Sequence, residues 1–210
     1  KKLNITRVIF LSSTKVIGDL NGVVSEKTSI KPDSAYGKAK LESEKILMQN
    51  FLHTTIIRTP LVYGPEVKAN FLSLIKLVNL GLPLPFGAIS NKRSYVFIDN
   101  LVDSLIHCIN DDRSINKVFY VADKRSISTT ELIILISDYL GKKNRLFFIN
   151  LSILKFIFKL FNKENILNKI SDSLELDCTL ISDCIDWQPS YSIEKGIKVT
   201  CDWFKNKQKS

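Results

Sequence analysis

The chain of 210 residues has two histidines and no Cys-x-x-Cys pair. Its four cysteines (Cys108, Cys178, Cys184, Cys201) have no histidine cluster beside them. Neither a zinc site nor a disulfide framework is expected, and a reducing compartment suits the thiols better. There is also no uncharged apolar run of the ~20 residues that a membrane-spanning helix needs. Glycine is scarce, and no two of the eight glycines are spaced two or three apart. Gly-x-Gly and Gly-x-x-Gly are both missing, so the tight turn that brings backbone amides to a pyrophosphate is not encoded in these residues. The chain opens Lys1-Lys2-Leu3 without methionine or a signal peptide, which suggests a piece of a longer protein. Acidic residues are the minority sign: 21 against 30 Lys and Arg, a net charge of +9. The lysines are scattered and read as a compositional bias, so nucleic acid is not an expected partner.

What is present is ordinary globular material: 45% hydrophobic and 24% charged residues, enough for a sizeable core and against disorder. Residues 7–12 form an apolar run ending in small polar residues, a buried strand. Residues 14–35 are rich in Gly, Ser, Asn, Asp and Pro and predict a long functional loop. A helix follows from Ser34 or Tyr36 to about Phe51, then a second buried strand at 54–58. Strand, helix and strand in that order predict a parallel βαβ unit. Tyr63-Gly64-Pro65 breaks the chain. A helix over 69–80 is closed by Gly81 and Pro83. A strand is expected at 95–98, with Asp99 or Asn100 capping a helix to about Asn110. Another strand spans 117–122. Ser128 with Glu131 reads as a capping box for a helix ending near Gly141. Asp177 starts a short helix, and the last helix runs over 193–205.

Residues 151–161 form an amphipathic helix, with Lys155 and Lys159 one turn apart on its polar side. It is too short to span a membrane. Packing on the domain core is the expected arrangement, and a membrane surface the alternative.

Tyr36 and Lys40, four residues apart on a helix, share one face. A cation beside a phenol favours the phenolate. Such a tyrosine can exchange a proton with a sugar hydroxyl or ketone. The chain has four Tyr-x-x-x-Lys matches, so spacing alone decides nothing. Tyr120 lies in a strand, Gly141 separates Tyr139 from Lys143, and no strand end with hydroxyls precedes Tyr191. Only Tyr36 and Lys40 lie between two buried strands with Ser12-Ser13 closing the first. In parallel α/β sheets ligands bind at the carboxyl ends of strands, where Ser13 and Tyr36 can converge.

These residues sit in a series of ordered motifs. They are Phe10-Leu11-Ser12-Ser13-Thr14-Lys15-Val16-Ile17-Gly18, Tyr36-Gly37-Lys38-Ala39-Lys40, Ile57-Arg58-Thr59-Pro60-Leu61-Val62-Tyr63-Gly64-Pro65 and Arg93-Ser94-Tyr95-Val96-Phe97-Ile98-Asp99-Asn100-Leu101. Leu176-Asp177 with Trp187 and a final helix completes the series. Together they resemble the NAD-dependent epimerase/dehydratase family of extended short-chain dehydrogenases/reductases, near the UDP-sugar 4-epimerases and 4-ketoreductases. The resemblance runs from about Val8 to Phe204.

It implies an α/β fold: a Rossmann-type doubly wound parallel sheet, of which only the C-terminal part is present, with a smaller mixed α/β substrate-binding domain. Residues 1–65 would hold the cofactor-side part. Residues 66–210 would be mainly substrate-binding, interleaved with returning Rossmann elements. The resemblance also implies roles. Ser13, Tyr36 and Lys40 match the catalytic set. Tyr36, Lys40, Thr59 and Pro60 match positions along the cofactor, NAD or NADP. Lys15, Asn70, Phe71, Leu84 (with Pro85), Arg93 and Leu174 match positions around the nucleotide sugar. Where dehydratases of the family carry an Asp-Glu pair, this chain has Thr14 and Lys15, so dehydration is not expected. No second diphosphate arginine lies between Arg145 and Leu174; Lys163 or Lys169 would have to substitute. Leu174, in place of a bulky tyrosine, leans toward an N-acetylhexosamine.

The implied function is a UDP-sugar 4-epimerase or 4-ketoreductase for surface polysaccharide synthesis, cytoplasmic and near the inner membrane surface, with a homodimer as the family habit. The missing glycine turn keeps an alternative in view: a truncated, inactive remnant or one half of a split enzyme.

Overall fold

The computed structural model describes residues 5–162 and 164–208. Lys163, one of the two substitute lysines, lies outside them. Strand β1 (Val8–Ser13) runs into a 3-10 turn (Thr14–Ile17). It is followed by β2 (Gly22–Val24), α1 (Ala35–Asn50), β3 (Thr54–Thr59), β4 (Leu61–Tyr63), α2 (Ala69–Asn79), β5 (Tyr95–Phe97) and α3 (Ile98–Asn110). The chain continues through β6 (Val118–Tyr120), α4 (Thr129–Leu140), α5 (Leu151–Leu160), α6 (Glu164–Ser171), β7 (Leu174–Leu176), α7 (Thr179–Ile185) and α8 (Ile193–Lys207).

Every ladder among the described strands is parallel. One sheet has the order β1-β3-β6, and two pairs, β2-β7 and β4-β5, flank it. Strand β3 is buried along its whole length, as a central parallel strand must be. Its polar residues are satisfied internally: Thr55 Oγ1 donates to Ser114 O at 2.8 Å and Thr54 Oγ1 to Phe51 O at 3.1 Å. Strand β6, from the second of the two expected stretches, pairs with β3 and so returns to the first stretch's sheet.

Local sequence sets the helix ends. Ser34 accepts the Gly37 amide at 3.1 Å and starts α1. Ser128 accepts the Glu131 amide at 3.0 Å and starts α4, and Gly141, at φ +67°, closes it in the left-handed region. The core forms three clusters. The largest gathers Tyr63, Phe71, Phe97, Ile133, Ile197 and Phe204 beneath α2, α4 and α8. A second, around Ile57, Phe119 and Trp187, packs α3 and α7 on the sheet. A third holds Val16, Ile17, Val24 and Leu176 between the 3-10 turn, β2 and β7.

Five features differ from the sequence-based expectation. Strand β1, expected to be buried, is the edge of its sheet among the described strands: it pairs only with β3, Ser12 alone is buried, and Leu11 is 40% exposed. The region 14–35 is not all loop, because Gly22–Val24 pairs in register with Leu174–Leu176. Three residues carry too little periodicity to announce a strand whose partner lies about 150 positions away. Helix α3 begins directly at the end of β5, with Phe97 at its N-cap and no side-chain cap. Asp99 lies in the first turn, and Asn100 is buried, donating to Asp123 Oδ1 at 2.8 Å and to Tyr191 O at 2.9 Å. Asp177 does start the short helix, but from outside it, accepting the Thr179 amide at 3.0 Å. Helix α5 is only partly packed on the core: Leu154 is buried, while Ile153, Phe156, Ile157 and Leu160 are exposed.

Candidate active site

The carboxyl end of β1 carries the first candidate. Ser13 lies opposite Thr59 of β3 and caps the 3-10 turn, its oxygen accepting the Lys15 amide at 3.2 Å. No described residue uses the Ser13 hydroxyl proton. Next to it, Ser12 Oγ is buried, 3% exposed, with no hydrogen-bond partner. A buried hydroxyl without a partner is costly, and this one sits where a parallel sheet binds its ligands. Thr59, also buried, donates to Ser12 O at 3.3 Å, and Pro60 is buried behind it.

Helix α1 brings the second pair. Lys40 Nζ donates to Leu11 O at 2.9 Å and lies 4.7 Å from the centroid of the Phe10 ring. The Tyr36 ring centroid is 6.0 Å from the same Nζ. Tyr36 is 56% exposed, so its hydroxyl is open to a ligand. The ammonium has three donors, and the Leu11 carbonyl uses one.

Two features that sequence reasoning missed hold α1 in place. At Gly37 a Cβ would stand 2.2 Å from Lys15 O, so only glycine lets the first turn of α1 lie against the 3-10 turn after Ser13. One turn beyond Lys40, Glu44 accepts Arg58 Nη2 at 2.7 Å and Arg58 Nε at 3.1 Å. Both side chains are about 5% exposed. Burial opposes the Arg58 charge, but the bonds to Glu44 outweigh it and hold its pKa above the ordinary value. Glu44 continues the spacing of Tyr36 and Lys40, the signal that could have found it.

A cleft of about 320 Å³ opens beside the 3-10 turn, within the size range of small-molecule sites. Its lining includes Thr14, Lys15, Arg93, Lys169, Asp172 and Leu174. Three of the candidates for the sugar nucleotide, Lys15, Arg93 and Leu174, thus meet with the substitute lysine Lys169. Parallel bridging places Arg93 beside Leu174. Arg93 Nη1 donates to Lys169 O at 2.8 Å and Asp172 O at 3.1 Å, leaving other guanidinium hydrogens for a ligand. Lys15 Nζ pairs with Asp19 at 2.6 Å. That bond, opposed by modest burial and aided by the charge of Lys169, holds the Asp19 carboxyl below its ordinary pKa. Three cations against two carboxylates, Asp19 and Asp172, leave the lining with a positive excess that favours an anion.

The remaining candidates do not line this cleft. Asn70 is exposed in the first turn of α2. The Phe71 side chain is committed to the core, stacked on Tyr63 with centroids 5.2 Å apart. Leu84 is buried too, bridging to Leu146. No group of three or more metal-ligating side chains occurs among the described residues.

Comparison with known proteins adds an independent line. The sequence profile of the "NAD dependent epimerase/dehydratase family" matches residues 1–122. A UDP-glucose 4-epimerase of Vibrio cholerae is 36% identical over 208 residues, 95% of this chain and 63% of that relative. The chain therefore spans under two thirds of that protein's length. Among solved structures, the UDP-glucuronic acid 4-epimerase of Bacillus cereus in complex with NAD superposes with a TM-score of 0.76 at 22% identity, over 98% of this chain and 63% of that one. The UDP-glucose 4-epimerase of Thermotoga maritima with UDP-glucose gives 0.74 at 22% identity, over 98% and 65%. At these identities the likeness establishes the Rossmann-type fold.

Proposed function

The chain belongs to the NAD-dependent epimerase/dehydratase family, and from that premise we propose that the complete protein is an NAD(P)-dependent nucleotide-sugar 4-epimerase or 4-ketoreductase. Its substrate would be a UDP-hexose or UDP-N-acetylhexosamine. The observation that carries this reading is the gathering of Lys15, Arg93 and Lys169 in one cleft beside Leu174, next to the strand end that holds Ser13.

Each residue then has a chemical task. Arg93 and Lys169 hold the diphosphate, the guanidinium through paired hydrogens and the ammonium as a point charge. Lys15 can release Asp19 and turn to the same anion. Ser13 donates its free proton to the sugar O4. Tyr36 takes the O4 proton on oxidation to the 4-keto sugar and returns it on reduction. Lys40, anchored on the Leu11 carbonyl, sets its positive charge 6.0 Å from the Tyr36 ring centroid. The nicotinamide supplies hydride exchange with sugar C4 when bound. Lys40, Tyr36, Thr59 and Pro60 fit its ribose and ring end, beside the unpartnered Ser12 hydroxyl. No glycine-rich turn for its pyrophosphate lies within these 210 residues.

The family relationship supports a role in surface polysaccharide synthesis, in the cytoplasm near the inner membrane surface. The same relationship supports a homodimer formed through α1. An inactive remnant or split half is the alternative. The intact mass of the native protein separates the two: about 35 kDa fits a complete enzyme of this architecture. The direct test is to incubate the complete protein with UDP-glucose or UDP-N-acetylglucosamine and each nicotinamide cofactor, following sugar C4 by NMR. Inversion at C4 marks the epimerase, and net reduction of NAD(P)+ with formation of the 4-keto sugar marks the ketoreductase running in reverse. Neither change with any UDP-hexose or UDP-N-acetylhexosamine would remove the proposal.

A further inference from the structure

Helix α5 is apolar on two opposite faces. Leu154 is buried and Phe158 half-buried, and together they attach it to the core. On the far side Ile153, Phe156, Ile157 and Leu160 form an i, i+3, i+4, i+7 stripe, all exposed, with Phe156 at 64% and Leu160 at 66%. An ordinary surface helix turns polar residues outward on that side. Phe161, just past the helix, extends the stripe.

The segment leading into α5 presents one more ring. Its backbone is pinned to the loop after α2: Leu84 N donates to Arg145 O, Phe147 N to Leu84 O and Gly87 N to Phe147 O, each at 3.1 Å. From this fixed backbone Phe148 stands 82% exposed. A ring held in water by an ordered segment is a standing cost, offset only when something covers it.

Charge identifies what covers it. Residues 141–163 contain six Lys and Arg and no Asp or Glu. The basic excess, scattered over the chain as a whole, is locally unmixed here. Lys142, Lys143, Arg145, Lys155 and Lys159 are exposed, and among the described residues none of them pairs with a carboxylate. An apolar stripe with aromatic rings, rimmed by unpaired cations, matches an interface of acyl chains below and phosphate headgroups around.

We propose that the outer face of α5, with Phe148 and Phe161 at its ends, docks on a membrane surface rich in anionic phospholipid. Ile153, Phe156, Ile157 and Leu160 enter the headgroup boundary, while Lys155, Lys159 and the cations of 142–145 meet lipid phosphates. This inference is independent of the catalytic reading, since docking can hold or fail whichever sugar is turned over.

Flotation of the complete protein with vesicles tests it at low salt. One set of vesicles is phosphatidylcholine alone and the other carries a one-third share of phosphatidylglycerol. The protein is expected to float with the anionic vesicles, much less with the neutral ones, and to be released by added salt. Phe156→Ser with Leu160→Ser removes outer apolar area without touching the core, and partition falls by about tenfold or more. Lys155→Glu with Lys159→Glu gives a loss of at least about tenfold by reversing two surface charges. Circular dichroism checks that each variant folds, and if the first does not, the second decides. Absence of flotation at low salt would overturn the proposal. So would a doubly substituted stripe that floats like the parent protein, which would place binding on another surface. A dimer of the parent protein that the stripe variant breaks, without vesicle binding, would assign the face to a second copy instead.

Discussion

Glu44 of α1 receives two hydrogen bonds from Arg58 of β3, at 2.7 and 3.1 Å, one turn below Lys40 and two below Tyr36. The pair fastens the helix that carries the candidate acid/base residue to the strand that ends in Thr59. Both groups are all but sealed from solvent, and the only other polar partner of the Arg58 guanidinium among the described residues is the Tyr120 hydroxyl at 3.3 Å, so each charge is balanced by the other. Arg58→Met or Glu44→Ala alone strands a buried charge and is expected to destabilise the chain by about 3–5 kcal/mol. The double replacement should be milder than the sum of the two. Urea unfolding of the three variants checks this, and strict additivity would contradict it.

Gly37→Ala should also destabilise, against its helix propensity. Alanine is the better helix former by about 1 kcal/mol. Here, however, its Cβ would press on the Lys15 carbonyl at 2.2 Å, a backbone atom that cannot turn aside. A net loss of about 1–3 kcal/mol is expected from the overpacking. A thermal midpoint equal to the parent's would show that α1 and the 3-10 turn do not meet this closely.

Arg93→Ala and Lys169→Ala should each weaken UDP-sugar binding by about 10–100-fold, the range of one or two charge-assisted hydrogen bonds. The loss should shrink as salt is added. Calorimetry with UDP on the complete protein measures it. Unchanged affinity in both variants would place the diphosphate elsewhere.

The thiols set an alkaline limit. Burial raises Cys108 to about 11 and Cys178 and Cys201 to about 12. In the unfolded chain the same groups ionise near pH 9. Above that pH the unfolded state loses its thiol protons first, so stability falls through pH 9–12 and is fully present below it. Replacing Cys201 by alanine should flatten part of that fall, read as midpoint denaturant concentration at pH 8 and 10. An equal pH dependence in parent and variant would contradict the burial argument.

How far the residues alone disclosed this structure varies with the range of the interaction. The βαβ unit was legible because its parts are local: the apolar run before Ser12-Ser13, the Ser34 cap and the Thr-rich strand at 54–59. The capping box at Ser128 and the left-handed Gly141 were legible for the same reason. Strand β2 was not, since its three residues are specified by β7 far along the chain. Nor was the Glu44 and Arg58 pair, as neither residue announces burial until the helix lies on the sheet. Ordered motifs brought Lys15, Arg93 and Leu174 to attention, and Lys169 was visible only as a substitute for an absent arginine. Phe71 and Leu84 stood at matching positions, yet their side chains are claimed by the core. The lysines of α5 suggest a polar side opposite a single apolar face; the second apolar face is legible only in three dimensions, where Leu154 and Phe158 take the first.

Central to the whole account is Tyr36 as the group that moves the O4 proton. The most direct test is Tyr36→Phe in the complete protein, with turnover of a UDP-hexose and affinity for UDP measured on the same preparation. The expected result is a fall in turnover of about 10²–10⁴-fold, with UDP affinity within a few-fold of the parent. Turnover near the parent level in a folded Tyr36→Phe protein would take Tyr36 out of the chemistry and the proposed mechanism with it.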